Sequence, residues 1–219
     1  MNAPCEILLT GFDFRKFNLH EMVIPFILLL LSQFFCFYTM AEEIFHNYQR
    51  LLNKVDDFSS RIIQRYRKNI SCGYGCSDCC QQNLNLLPVE YSFLQKEFAL
   101  LPEPMKKIVR NRADQGLEDY TSCVLLDHGA CVLYERRPII CRTHGLPLFI
   151  TEGDKERRDC CPKNFTSYGL DLLPQTDFLH LERLNTILIT INRGFASLTG
   201  IESGIRLCLT NLPDNNIIF

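Results

Sequence analysis

The chain has no large excess of either charge. Its 23 Lys and Arg face 25 Asp and Glu, for a formal net charge of -2. No global field draws in a polyanion, so no nucleic-acid partner is expected. There is no internal repeat and no low-complexity tract, which excludes a repeat architecture. No SAM-type glycine motif is present. Outside the thiols, nothing supplies a clear general acid, base or nucleophile, so no catalytic residue is assigned. Histidine is sparse, at five residues. His128 sits at the tip of an expected turn and reads as solvated. His144, three residues after Cys141, reads as an ordinary surface or core histidine before a ligand.

What the chain has in quantity is cysteine. Nine of its twelve cysteines lie between Cys72 and Cys161. Four form one block, Cys72-Gly-Tyr-Gly-Cys76-Ser-Asp-Cys79-Cys80. Cys123, Cys131 and Cys141 follow, and then the adjacent pair Cys160-Cys161. Thiols this dense can pair as disulfides, hold metal or remain as reactive spares. The spacing favours metal. Adjacent cysteines close a strained ring when joined, and an odd number leaves one over. Disulfide frameworks also belong mainly to small secreted domains, whereas 219 residues at 47% hydrophobic composition can bury a core. All-sulfur ligation points to zinc or an iron–sulfur centre, away from magnesium or calcium.

Geometry limits how the thiols share an ion. Positions i, i+4, i+7 and i+8 of the first block share one face if helical, yet Cys79 and Cys80 project about 100° apart there. Two adjacent pairs therefore suggest two sites or a polynuclear cluster. Nine thiols would fill two four-sulfur sites with one left over. Arg136, Arg137 and Arg142 stand among the middle cysteines, where guanidinium groups would offset thiolate charge. Arg61, Arg65, Arg67, Lys68, Arg157 and Arg158 read as ordinary surface charge. Cys72-x3-Cys76-x2-Cys79 has radical-SAM spacing, but a long helix precedes it where that fold needs a strand. Cys76-x2-Cys79 lacks the βαβ surroundings of a thiol oxidoreductase.

The first forty residues read apart from the rest. Val23–Met40 carries no charge over eighteen residues, the minimum for a membrane helix. It fits an anchor, a signal peptide ending at Ala41, or an extension ahead of a start at Met40. The last is favoured, because Met40-Ala-Glu-Glu would open an amphipathic helix with acidic residues in its first turn. The expected organisation is a hydrophobic segment over 1–39 and one domain over 40–219, with its cysteine core at 71–165.

In the body, apolar residues recur at helical spacing from Ala41 to Lys68. Pro88 opens a helix over Val89–Leu101, stopped by Pro102 and Pro104. A third covers Met105–Leu117 and a last Asp177–Leu198. Asp127-His128-Gly129 and Glu152-Gly153-Asp154 predict two small hairpins. The end helices carry complementary apolar faces and should pack together. The expected fold is mainly α with short β-hairpins, a small helical domain around a loop-rich cysteine centre.

The residues Cys72-x3-Cys76-x2-Cys79-Cys80, Cys123-x7-Cys131 and Tyr134-Glu-Arg-Arg137-Pro138-x2-Cys141-Arg142 resemble the YkgJ-type cysteine-cluster family. That family is described as a candidate zinc- or iron-chelating domain. The resemblance covers roughly residues 70 to 145. It implies Cys72, Cys76, Cys79, Cys80, Cys123, Cys131 and Cys141 as metal ligands, with Arg137, Pro138 and Arg142 in the signature. Cys160 and Cys161 lie beyond the matched pattern and join the ligand set on their spacing alone, with Arg137 and Arg142 beside the bound centre. A cytoplasmic, bacterial metal-binding protein is the reading this implies, with a metal ion as partner. The alternative is a cluster-dependent enzyme similar to flagellin lysine N-methylases, or a redox protein.

Overall fold

The computed structural model describes the backbone of residues 19–119 and 122–214, and the side chains of 31–32, 35, 37–115 and 122–214. The chain divides into two compact units, Met1–Met40 and Ala41–Phe219. The readings of Val23–Met40 rest largely on side chains outside the described residues. Among the described residues, no helix is long and apolar enough to cross a membrane.

Helix α1 runs Leu19–Arg65, so it does not begin at Ala41 as expected. No glycine or proline falls between Phe26 and Cys72, and nothing in the local chemistry halts a helix at Met40. Glu42 and Glu43 are mid-helix. The remaining helices are α2 (Pro88–Ala99), α3 (Glu103–Asp119), the single-turn α4 (Ile139–Thr143) and α5 (Leu181–Thr199). The strands are β1 (Asn85–Leu86), β2 (Leu126–Asp127), β3 (Ala130–Cys131), β4 (Leu148–Glu152), β5 (Lys155–Asp159), β6 (Leu179–His180) and β7 (Leu207–Cys208). The architecture is mainly α with short β elements.

Both expected hairpins form. β2 and β3 join through His128 and Gly129, with φ of 45° and 81°, the two left-handed positions that a twisted two-residue turn requires. β4 and β5 join through Gly153-Asp154, where Gly153 takes φ of 61°. The last helix starts later than its periodicity suggests. Leu179 and His180 pair in parallel with Leu148 and Phe149 of β4, and a strand partner outranks the helical pattern there.

The end helices pack together as their apolar faces demand, with α2 beside them. Phe45, Tyr48, Leu51, Leu52 and Val55 of α1 share a core with Val89 and Phe93 of α2 and Leu184, Leu188 and Phe195 of α5. The Phe45 ring lies 5.9 Å from both Phe93 and Phe195, and Tyr48 lies 5.1 Å from Phe93. Such aromatic pairs each add about 0.5–1.5 kcal/mol beyond area burial. A second core joins Tyr91, Leu94 and Phe98 of α2 to Val109 of α3 and to Val124, Leu125, Leu126 and Leu133. The stretch from Cys123 to Leu133 therefore shares a buried core with α2 and α3.

Buried polar groups tie the elements around these cores. Asp177 has no exposed side-chain surface and pairs with Arg61 and Arg65, each at 3.1 Å. It also accepts from the Tyr66 hydroxyl at 2.6 Å. Arg61 and Arg65 are thus not idle surface charge: they clamp the end of α1 to the segment before β6. Arg158 meets Asp171 at 3.0 Å and Arg157 pairs with Asp159. Buried Glu90 accepts from Tyr48 Oη at 3.3 Å and from the Ile139 amide at 3.2 Å, which seats the start of α4. Burial raises the Glu90 pKa against the pull of those donors.

Candidate metal centre

The cysteines sit on loops and short turns held by these frames. In the first block, Gly75 at φ of 87° lets the chain reverse, and the Cys76 amide donates to Gly73 O at 3.0 Å. A 3₁₀ turn over Asp78–Cys80 follows. The Cys123 amide then donates to Cys80 O at 2.7 Å, fixing the block against the buried Val124–Leu126 segment. Cys131 lies on β3 opposite Leu126. Pro138 caps α4, and the Cys141 and Arg142 amides both donate to its carbonyl at 3.1 and 3.2 Å. Adjacent residues on that turn diverge by about 100°. Cys141 therefore faces the cleft while Arg142 enters the body, which is the physical content of the Pro-x2-Cys-Arg element.

None of the ten described cysteines is in a disulfide. The nine clustered thiols fall into two groups by the neighbours they feel. Cys79, Cys80, Cys123, Cys131 and Cys141 act on one another. Cys72 instead feels Cys161 and Cys76, and Cys160 feels Cys161. The two sets share clefts: Cys76 lines one with all five of the first set, and Cys72 and Cys76 line another with Cys79 and Cys141. The tenth, Cys208, stands outside both groups and accepts from Asn83 Nδ2 at 3.0 Å. Sequence spacing gave no sign of that contact.

The five thiols of the first set and Cys76 line an open cleft of ≈ 740 Å³ together with Tyr134, Arg137 and His144. Burial raises the pKa of Cys131 and takes that of Cys123 to about 11. Cys141 is raised by burial and by the neighbouring Cys123 and Cys131. The Cys79 thiol hydrogen-bonds to Cys80, which raises Cys79 and lowers Cys80. Without a cation, then, most of these sulfurs hold their protons. Among the described residues, no three His, Cys, Asp or Glu side chains converge as a ready metal site. The donor chemistry fits a thiophilic ion.

The three arginines expected beside the sulfurs part ways. Arg137 lines the cleft, stacks 3.5 Å above the Tyr134 ring and donates to Tyr134 O at 2.8 Å. Its charge favours the thiolates of Cys79, Cys131 and Cys141. Arg142 is buried, donating to Arg137 O at 2.6 Å, to Glu135 O and to Asp56 of α1. Arg136 pairs with Glu97 of α2 at 3.1 Å. His144 lines the cleft and is exposed, while His128 is solvated at its hairpin tip.

The placement of Cys72 depends on Asn164, which sequence reasoning missed. Its Oδ1 accepts from the Ser71 and Cys72 amides at 2.8 and 3.2 Å, and its Nδ2 donates to Gly145 O at 2.7 Å. Gly145 has φ of 94°, and a Cβ there would lie 2.9 Å from Cys72 Sγ. Gly145→Ala is expected to cost about 1–3 kcal/mol from backbone strain alone and to displace Cys72. Alkylation rates at Cys72, read by mass spectrometry beside a thermal melt, check this. Unchanged labelling and melting would show that the loop yields freely.

A mainly α frame that presents reduced thiols on facing loops defines a cysteine-rich, metal-chelating class of domain. Residues 71–163 match the model of the CxxCxxCC family, described as "Putative zinc- or iron-chelating domain". No curated protein and no solved structure matches the chain.

Proposed function

We propose that the protein binds zinc or iron, the latter as an ion or within an iron–sulfur cluster, through Cys79, Cys80, Cys123, Cys131 and Cys141. In this reading residues 40–219 act as one domain with its cysteine core at 71–165. The observation that carries it is that these five thiols, from four separate stretches of chain, line one cleft with Cys76 and the Arg137 guanidinium. A bound ion would supply the positive charge that lets these buried sulfurs ionise together. Zinc would add cross-linking alone, and iron would add one-electron chemistry. Arg137 offsets the excess negative charge of several thiolates. Arg142 supports the centre indirectly, by fixing the carbonyls of Glu135 and Arg137.

Anaerobic purification followed by metal analysis and an absorption spectrum tests the reading. Stoichiometric zinc or iron in the wild type, lost in Cys123→Ser with Cys141→Ser, is expected. Equal metal in both proteins would overturn the ligand set.

The thiol pKa values also set a pH dependence. Cys123 at about 11 and Cys72 at about 12 lie above the ordinary value of 9.0. Folding thus favours their protonated forms, a stabilisation complete below pH 9 and lost as pH rises through 11 and 12. The reduced, metal-free protein should lose melting temperature from pH 9 to 11. The metal-loaded protein should lose less, because binding requires thiolates. Parallel slopes would count against ligation by Cys123.

A further inference from the structure

We infer that the groove between α1 and α5 docks a short amphipathic helix of a partner protein, one that carries acidic side chains beside its apolar stripe. The groove shares no lining residue with the thiol clefts, so this goes beyond metal binding and does not depend on it. It is an open cavity of ≈ 570 Å³, lined by Asn47, Arg50, Leu51 and Lys54 of α1 and by Ile187 and Ile191 of α5. Leu51 belongs to the buried core beneath, Ile191 packs against that core, and Ile187 is left 49% exposed. The floor is apolar and only half covered.

The rim sets the charge of the occupant. Arg50 and Lys54 are exposed, and among the described residues neither is in an ion pair. Four residues apart on one helix, they stand one above the other, with about 5–6 Å between Cβ atoms. Ile187 and Ile191 repeat that spacing on α5. A third helix with an apolar pair and a carboxylate pair at the same spacing meets both walls at once, the helix-in-groove mode of recognition. Its docked length is short, since Asn47 to Lys54 spans about two turns, roughly 10 Å. The charges at the rim choose the partner more than they tighten it. A lipid surface fits less well. Exposed Glu43 and Asp57 flank Arg50 and Lys54 along α1, and the apolar surface is a recess where a membrane-binding helix presents a protruding face.

The test uses the full chain, reduced, and a fluorescein-labelled helical peptide with leucines at i and i+4 and glutamates at i+1 and i+5. A second peptide carries lysines in place of the glutamates. Fluorescence anisotropy should show the glutamate peptide binding about tenfold tighter, with the difference shrinking at high salt. Arg50→Glu with Lys54→Glu should reverse that preference, which a merely unfolded protein cannot do. Ile187→Asp should weaken both peptides while the melting temperature holds, because the side chain is half exposed. Equal affinity for the two peptides, no reversal in the double variant, or no binding by about 1 mM peptide would overturn the proposal. So would a dimer that Ile187→Asp dissociates, which would assign the face to a second copy of the chain. Binding to phosphatidylglycerol vesicles but to neither peptide would assign it to lipid instead.

Discussion

Stripping metal from the reduced protein is expected to open residues 71–83 and 128–145 to protease while sparing the helices around them. These loops hold four of the five proposed ligands, Cys79, Cys80, Cys131 and Cys141, and few of their side chains other than Leu133 and Ile139 are in the buried core. Ordering a residue costs about 1–2 kcal/mol of backbone entropy, so loops of this length need another source of order. Structural zinc supplies roughly 10–16 kcal/mol in small peptides. The effect stops short of the full 71–165 stretch for a reason visible in the fold. Val124, Leu125 and Leu126 are buried between α2 and α3, and β4 packs Phe149 against Phe165, Leu173 and Phe178. Limited proteolysis of metal-free and metal-loaded protein reads this directly, and Cys79→Ser with Cys80→Ser should reproduce the metal-free pattern. Equal resistance in both forms would show that packing alone holds the loops.

Arg142→Ala should destabilise the whole domain, whereas Arg137→Ala should chiefly weaken metal retention. Arg142 is buried at 7% exposure, and its removal strands the carbonyls of Glu135 and Arg137 together with Asp56. Breaking a buried, hydrogen-bonded charge pair costs about 3–5 kcal/mol. Asp56 is partly exposed and can recover some hydration, so the lower end is expected. Arg142→Lys should not restore it, because an ammonium cannot reproduce the fork that spans three acceptors. Arg137 lies at the cleft, and losing such a partner lowers metal affinity about 10- to 100-fold. Denaturant midpoints and competition with a chelator separate the two outcomes. If Arg142→Ala retains its midpoint, the Asp56 bridge carries no weight.

Local chemistry made part of this structure readable. Pro88 marked the start of α2, Pro102 its end, and the Gly129 and Gly153 turns marked both hairpins, because each acts within a few residues. The cysteines and the Arg-Pro-x2-Cys-Arg element pointed to the family whose model matches residues 71–163. What sequence could not supply was which group meets which across long separations. Arg142 reaches Asp56 over 86 residues and Arg61 reaches Asp177 over 116. No spacing rule encodes such meetings, which arise only when α1 packs against the later elements. Asn164 was silent for the same reason: one asparagine in a turn gives no signal until three backbone segments converge on it.

Asn164 also bears on modularity. The family segment ends at residue 163, one residue before the side chain that holds Ser71 and Cys72 in place. Asp56, the counter-charge of Arg142, lies before the segment begins, and Leu184 and Leu188 of α5 lie beyond its end. A fragment excised at the limits of similarity would keep every clustered cysteine and lose the parts that orient them. The recurring sequence unit and the unit able to stand alone are therefore different lengths of chain. Grafting this centre into another protein would mean transplanting the surrounding helices with it.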